Sequence, residues 1–283
     1  MANQIVLTNA KIVLEDEVID GTLVMEDGLI ARYETGGSAH GEDMEGDYLI
    51  PGLIELHTDH LEAHYAPRPG VKWNAISAVQ SHDAQVATSG ITTVFDCLRL
   101  GSDDSGGFEV GEMRQIADTI ERAQEEGRLR ADHMIHLRCE LPSADLMEHF
   151  CDFETDPRVR IVSLMDHSPG QRQFQTMGQY IKYYKQKRGL SDEEFARFVD
   201  ERKAASERYA ALHRRALADN CRARGITIAS HDDATIDHVR EALDHGVKLA
   251  EFPTPVDAAR ESHKSGMSVL MGAPNVVRGL SHS

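Results

Sequence analysis

Apolar and polar positions follow two grammars along this chain, and the change falls near Tyr48. Before it, Ile5-Val6-Leu7, Lys11-Ile12-Val13-Leu14 and Thr22-Leu23-Val24-Met25 are short runs punctuated by Asn9, Asp27 and Gly28. Strand-forming runs bounded by turn residues predict a small antiparallel sheet. So few residues cannot enclose a core, so the sheet needs cover from another segment. Residues 36–47 read as a polar loop. After Tyr48, apolar runs end in charged residues and give way to helical patterns, which predicts strands near 49–56, 91–98, 132–139, 159–165, 226–230, 247–252 and 267–271. Segments 76–89, 111–127 and 234–245 carry apolar residues at helical spacing.

Strands alternating with helices predict right-handed crossovers and a parallel sheet. Seven strands are one short of an eight-stranded barrel, and the seventh lies close to the last residue. The fourth crossover, Ser168 to Gly225, is much longer than the others. It holds a helix opened by Ser191 as N-cap with Glu194 at the capping-box position, running on to Arg222. Long inserted connections usually cover or shape a site. The division expected is a small β-domain over 1–48 and a barrel over 49–283.

Composition narrows the function. The chain has 283 residues, 41% hydrophobic and 27% charged, with 47 acids against 30 bases and a net charge of −17. That surface repels nucleic acid and anionic membranes alike. The four cysteines, Cys97, Cys139, Cys151 and Cys221, form no close pair, which points to a reducing compartment. The first cation is Lys11 and no long apolar run occurs, so a cytoplasmic protein is expected.

The chain carries 15 His, several beside carboxylates at the ends of apolar runs, which makes a metal site the first expectation. In Pro51-Gly52-Leu53-Ile54-Glu55-Leu56-His57-Thr58-Asp59-His60, an extended strand puts His57 and Asp59 on one face at its end. His60, Glu62 and His64 follow. Other strand ends read Arg138-Cys139-Glu140, Met165-Asp166-His167 and Ala229-Ser230-His231-Asp232-Asp233. Any one of these His is explained by a loop or a helix start, but in a parallel barrel all the ends converge on one rim. Divalent ions held by such residues lower the pKa of water and make a nucleophile at neutral pH. An Asp in the first-strand pair shifts preference from Zn towards Mn or Mg.

From Ser168 to Leu190 the chain carries Arg172, Lys182, Lys185, Lys187 and Arg188 and no acid. This basic stretch follows directly on His167, where it can grip an anion such as a phosphate. Ala66-Pro67-Arg68-Pro69-Gly70 and Gly272-Ala273-Pro274-Asn275 read as turns, and Arg68 can face the rim.

The run Pro51 to His64, the segment from His82-Asp83 through Gly90 to Asp96, the turn Asp166 to Gln171, and Gly272 to Asn275 together resemble the alpha-D-ribose 1-methylphosphonate 5-triphosphate diphosphatases. These belong to the carbon-phosphorus lyase pathway of phosphonate catabolism and to the amidohydrolase superfamily. The resemblance implies a distorted TIM-like (β/α) barrel of the metal-dependent hydrolase type beside a small β-sheet domain. It implies a divalent-metal centre, taken as two ions, and cleavage of the ribosyl triphosphate to the 5-phosphate and pyrophosphate. His57, Asp59, Glu140, His167 and His231 are the metal ligands it implies, with Glu140 bridging. Arg68, Arg172, Lys182, Lys185 and Arg188 are then the candidate substrate-binding cations. In that superfamily an Asp ending the eighth strand acts as base. No eighth strand follows Pro274-Asn275 before Ser283, so the barrel is expected to be incomplete at its C-terminus and Asp232 or Asp233 to serve instead. Hydrolysis of a cyclic amide, or an inactive fragment acting as a binding partner, are the alternative readings. The open strand edges of such a barrel also predict homo-oligomers.

Overall fold

A computed structural model describes residues 4–101, 108, 111–174, 177–185 and 189–279. The chain divides into two compact units, Met1–Leu53 and Ile54–Ser283.

The first unit is a five-stranded sheet. Strands β1 (Gln4–Val13), β2 (Val18–Glu26) and β3 (Leu29–Thr35) pair antiparallel in the order β3-β2-β1. Two-residue strands β4 (Glu42–Asp43) and β5 (Tyr48–Leu49) run parallel to β1. The first two apolar runs are thus one strand, with its register broken between Leu7 and Ala10. Asn9 sits in that break at φ 54, a left-handed conformation that Asn tolerates better than most residues. Strand β3 was absent from the periodicity because every residue in it is exposed and no apolar alternation marks it. Its hairpin does have a signal: Asp27-Gly28, both at positive φ (51 and 83), is the two-residue turn whose twist matches the right-handed twist of paired strands. Ala10, Ile12 and Leu23 form the small apolar centre.

The second unit is the incomplete barrel. Strands β6 (Leu53–Thr58), β7 (Ile91–Leu100), β8 (Asp132–Glu140), β9 (Val159–Met165), β10 (Thr227–His231), β11 (Leu249–Glu251) and β12 (Ser268–Leu270) follow one another across the sheet in chain order. The pairings from β7 to β12 are parallel. All seven expected strands are present. Among the described residues β6 and β12 remain edges.

Period-two alternation sorts each strand's residues between two sides. On β7, Leu98 and Leu100 join the main core with the helices Ala75–Thr88 and Glu112–Glu125; on β8, Ile135 and Leu137 do the same. Leu98, Ile135 and Leu137 are essentially inaccessible, each contributing about 1.5–3 kcal/mol by burial. The opposite side of these strands carries Phe95 and Cys97, and His136 and Arg138. The long crossover contains the expected helix at Asp192–Ala205 with its Ser191/Glu194 capping box. One π-helical turn, Ser206–Ala210, joins it to the helix Ala211–Arg224. Phe174, Tyr180, Tyr184, Phe195 and Val199 give this insertion an apolar cluster of its own.

Candidate metal centre

The strand ends bring imidazoles and carboxylates together around Glu251, the last residue of β11. Its carboxylate is fully enclosed. Oε1 lies 3.1 Å from His57 Nδ1 and 3.5 Å from His136 Nε2. Oε2 accepts from Ser163 Oγ at 2.6 Å and lies 3.2 Å from His231 Nδ1. Burial pushes this carboxyl upward, but the charges of His136 and His57 and the imidazole hydrogen bonds hold it well below the usual range. His57 and His231 stack with ring centres 5.5 Å apart, and Phe252 packs edge-on against both.

His167, just beyond β9, is fixed from behind by Glu140. Its Nδ1 lies 2.6 Å from Glu140 Oε2, and its backbone N–H donates to Oε1 at 3.0 Å. Arg202, from the long crossover, adds a contact of 3.3 Å to Glu140. Burial raises the Glu140 carboxyl, but His167 and Arg202 together bring it down to about 2. His167 is pushed down by burial and raised further by Glu140 and Asp232, for a net rise. With the Nδ1 proton given to Glu140, Nε2 is the nitrogen available to a third party.

Around this centre, among the described residues, three sets have donor atoms within 4.8 Å of one another: His57, His231 and Glu251; His167, His231 and Asp232; and His57, Cys97 and His136. The first two share His231 and so lie side by side. Imidazole nitrogen with carboxylate oxygen suits divalent transition ions, and a carboxylate behind a ligating imidazole, as Glu140 stands to His167, is the usual outer support. The residues fit a divalent metal. The third set is less ready, because burial holds the Cys97 thiol well above its usual value, although His136, brought down to about 4, is already the neutral imidazole that a metal takes.

The sequence-predicted residues fall unevenly around this centre. His57, His167 and His231 meet there, with Asp232 among them. Glu140 supports His167 and stands outside the three donor sets. Asp59 is also outside them: β6 ends at Thr58, so Asp59 lies beyond the extended run and caps the helix His60–Tyr65. Both its carboxylate oxygens face Arg138 Nη1 at 2.6 Å. Asp233 pairs with Arg172 and accepts from Ser230 Oγ at 2.5 Å. Arg172 is buried, and it also binds Glu241 at 2.9 Å. Lys185 pairs with Asp192, and Arg68 sits on an exposed turn bridged to Val71. Lys182 is in the described backbone only, and Arg188 lies outside the described residues.

Sequence reading missed Glu251, Cys97, His136 and Ser163. Glu251 ends its strand as His231 ends the preceding one, which is the signal that was there to be used. The other three lie inside strands, and only strand parity would have pointed them inward.

No protein-family model matches the chain. No helix among the described residues is long and apolar enough to cross a membrane. The structure resembles that of a mutant N-acetyl-D-glucosamine-6-phosphate deacetylase from Mycobacterium smegmatis at a TM-score of 0.52 and 17% identity, over 98% of this chain and 66% of that one. The likeness supports the fold, a distorted TIM-like barrel with an added small sheet. Over 280 residues the sequence is 46% identical to alpha-D-ribose 1-methylphosphonate 5-triphosphate diphosphatase of Escherichia coli K12, spanning 98% of this chain and 74% of that protein. An identity of that level along nearly the whole chain means that it belongs to the family of the alpha-D-ribose 1-methylphosphonate 5-triphosphate diphosphatases.

Proposed function

We propose that the chain hydrolyses alpha-D-ribose 1-methylphosphonate 5-triphosphate to the 5-phosphate and pyrophosphate, as a phosphoric-anhydride hydrolase of phosphonate catabolism. The observation that carries this is the pair of adjacent donor sets joined through His231, in a chain of that family. Two divalent ions, Mn, Mg or Zn, would supply water activation and charge neutralisation there. His57, His231 and Glu251 would hold one, and His167 with Asp232 the other, since a neutral His231 imidazole has one lone pair to give.

The chain's own groups set up the rest. Glu140 keeps the His167 ring in one orientation and tautomer. Asp232, at φ 57, brings its Oδ2 to 3.4 Å from His231 Nε2 and is the better-placed proton acceptor, since Asp233 is engaged by Arg172 and Ser230. Arg68, Lys182 and Arg188 are the cations assigned to the triphosphate. Residues 1–48 are the small β-domain, and 49–283 the catalytic barrel. The four free cysteines suit a cytoplasmic enzyme that takes a small-molecule substrate rather than nucleic acid or membrane.

Phosphorus NMR of the purified chain with this substrate and manganese tests the reading. Pyrophosphate is expected from the parent chain and not from His57→Ala. A folded, metal-loaded parent that leaves the triphosphate intact would overturn it.

A further inference from the structure

A second cluster lies on the other side of the sheet. Asp96 follows the alternation of Val94 and Leu98 rather than that of Cys97, and so faces the helix layer. On β8, His133 shares the side of Ile135 and Leu137, three residues from the inward His136. The helix Ala75–Thr88 adds His82. These three side chains are 1%, 0% and 0% exposed for His82, Asp96 and His133. Asp96 Oδ1 is 2.8 Å from His82 Nε2, and Oδ2 is 2.7 Å from His133 Nδ1. One donor atom from each residue lies within 4.8 Å of the others.

This is a costly arrangement for a dry layer between helix and sheet. His82 Nδ1 is enclosed and makes no hydrogen bond, which forfeits about 1–3 kcal/mol, and His133 Nε2 reaches only as near as 3.5 Å to Asp83 Oδ1. Apolar residues fill the same layer on either side, as Val86 and Val94 do. Something beyond packing must offset a buried carboxylate held between two imidazoles. The His82-Asp83 to Asp96 stretch is also one that the rim centre leaves unused.

We propose that His82, Asp96 and His133 bind a structural divalent ion, zinc by donor type, which fastens the helix Ala75–Thr88 to β7 and β8. One nitrogen from each imidazole and the carboxylate of Asp96 supply the nitrogen and oxygen donors that zinc takes. Ligands about 2.0–2.1 Å from a tetrahedral ion stand about 3.3 Å apart, so the present contacts open by about half an ångström on binding. With His133 ligating through Nδ1, its Nε2–H points to Asp83 Oδ1, now 3.5 Å away. Asp83 is itself held by the backbone N–H groups of Arg130 and Ala131 at 2.7 and 3.0 Å and by the Arg130 guanidinium at 2.8 Å. This is the carboxylate that stands behind a metal-binding imidazole.

The test separates this site from the rim. His57 and His231 between them belong to all three rim sets, so the double variant His57→Ala, His231→Ala disables those while leaving the outer cluster whole. The full-length double variant is equilibrated with zinc, dialysed, and its metal counted per chain. About one equivalent is expected to remain, with a melting temperature that falls on chelation. No retained zinc in a folded double variant would overturn the proposal. Adding Asp96→Asn should remove that equivalent, and its retention would overturn the ligand assignment. If the triple variant does not fold, cobalt in the double variant decides. Visible bands of a four-coordinate nitrogen and oxygen site support the proposal, and a thiolate charge-transfer band, which assigns the ion to Cys97, overturns it.

Discussion

Replacing Glu140 by Gln isolates the part that Glu140 plays. In the parent it accepts the Nδ1 proton of His167 at 2.6 Å and its backbone N–H at 3.0 Å. An amide whose oxygen keeps the backbone contact turns its NH2 towards Nδ1. The imidazole must then carry its proton on Nε2, the nitrogen that faces His231 and Asp232. Loss of such a supporting carboxylate lowers metal affinity by about 10–100-fold, or about 1.4–2.8 kcal/mol at 1.4 kcal/mol per decade. Competition for manganese or zinc against a chromogenic chelator, on parent and variant of matched circular dichroism, measures this. The equivalent that His167 holds should shift and the others stay. Unchanged affinity would refute the role of His167. Outright loss of an equivalent would refute the supporting role and put Glu140 among the ligands, as the family resemblance implies.

Asp156 accepts hydrogen bonds from Arg158 and Arg114; burial raises its carboxyl, but those bonds lower it more, and it ends below its usual value. A carboxyl depressed in the folded state adds stability above its unfolded value of about 3.9, lost as pH falls through the folded value. Asp156→Asn should therefore be less stable than the parent in neutral urea melts, with the gap closing in acid; a gap independent of pH contradicts this. Gly101 has φ +107, and a Cβ there would stand 2.7 Å from Ser143 Cβ and 3.3 Å from Glu140 Cβ. Gly101→Ala should cost at least about 1–3 kcal/mol in unfolding free energy, and an unchanged urea midpoint would count against it. Burial draws the Arg172 guanidinium down to about 10, and Arg172→Met strands its partner Asp233 at a cost of about 3–5 kcal/mol. Adding Asp233→Asn should recover part of that loss, and no recovery would dismiss the pairing.

The frame of the barrel was readable because its strands are short apolar runs bounded by turns, most of them largely buried from β7 to β11, so those runs locate all seven. Strand β3 hid because it is exposed throughout, and β4 because a two-residue pairing leaves no periodic trace. At the site, what could be read was whatever ended a strand: His167 and His231 lie at or just past the ends of β9 and β10, and His57 one residue short of the end of β6. Asp59 shows the limit. Its placement beside His57 assumed one more extended residue than β6 contains, and a single turn of backbone carried it to Arg138 instead. Arg172 shows another, since its charge suggested a free cation, while Asp233 and Glu241, 61 and 69 residues away, take that charge up.

Parity is the property that linear proximity conceals, and it decides the chemistry of β7 and β8. Asp96 and Cys97 are neighbours in sequence, yet the first joins His82 and His133 beneath a helix while the second approaches His136 at 3.7 Å on the other side. His133 and His136 divide in the same way. A substitution at Asp96 should therefore remove the outer equivalent and one at Cys97 leave it in place, although one peptide bond separates them. If both changed the same equivalent, the assignment of opposite faces would be wrong, and the inference drawn from the outer cluster would fall with it.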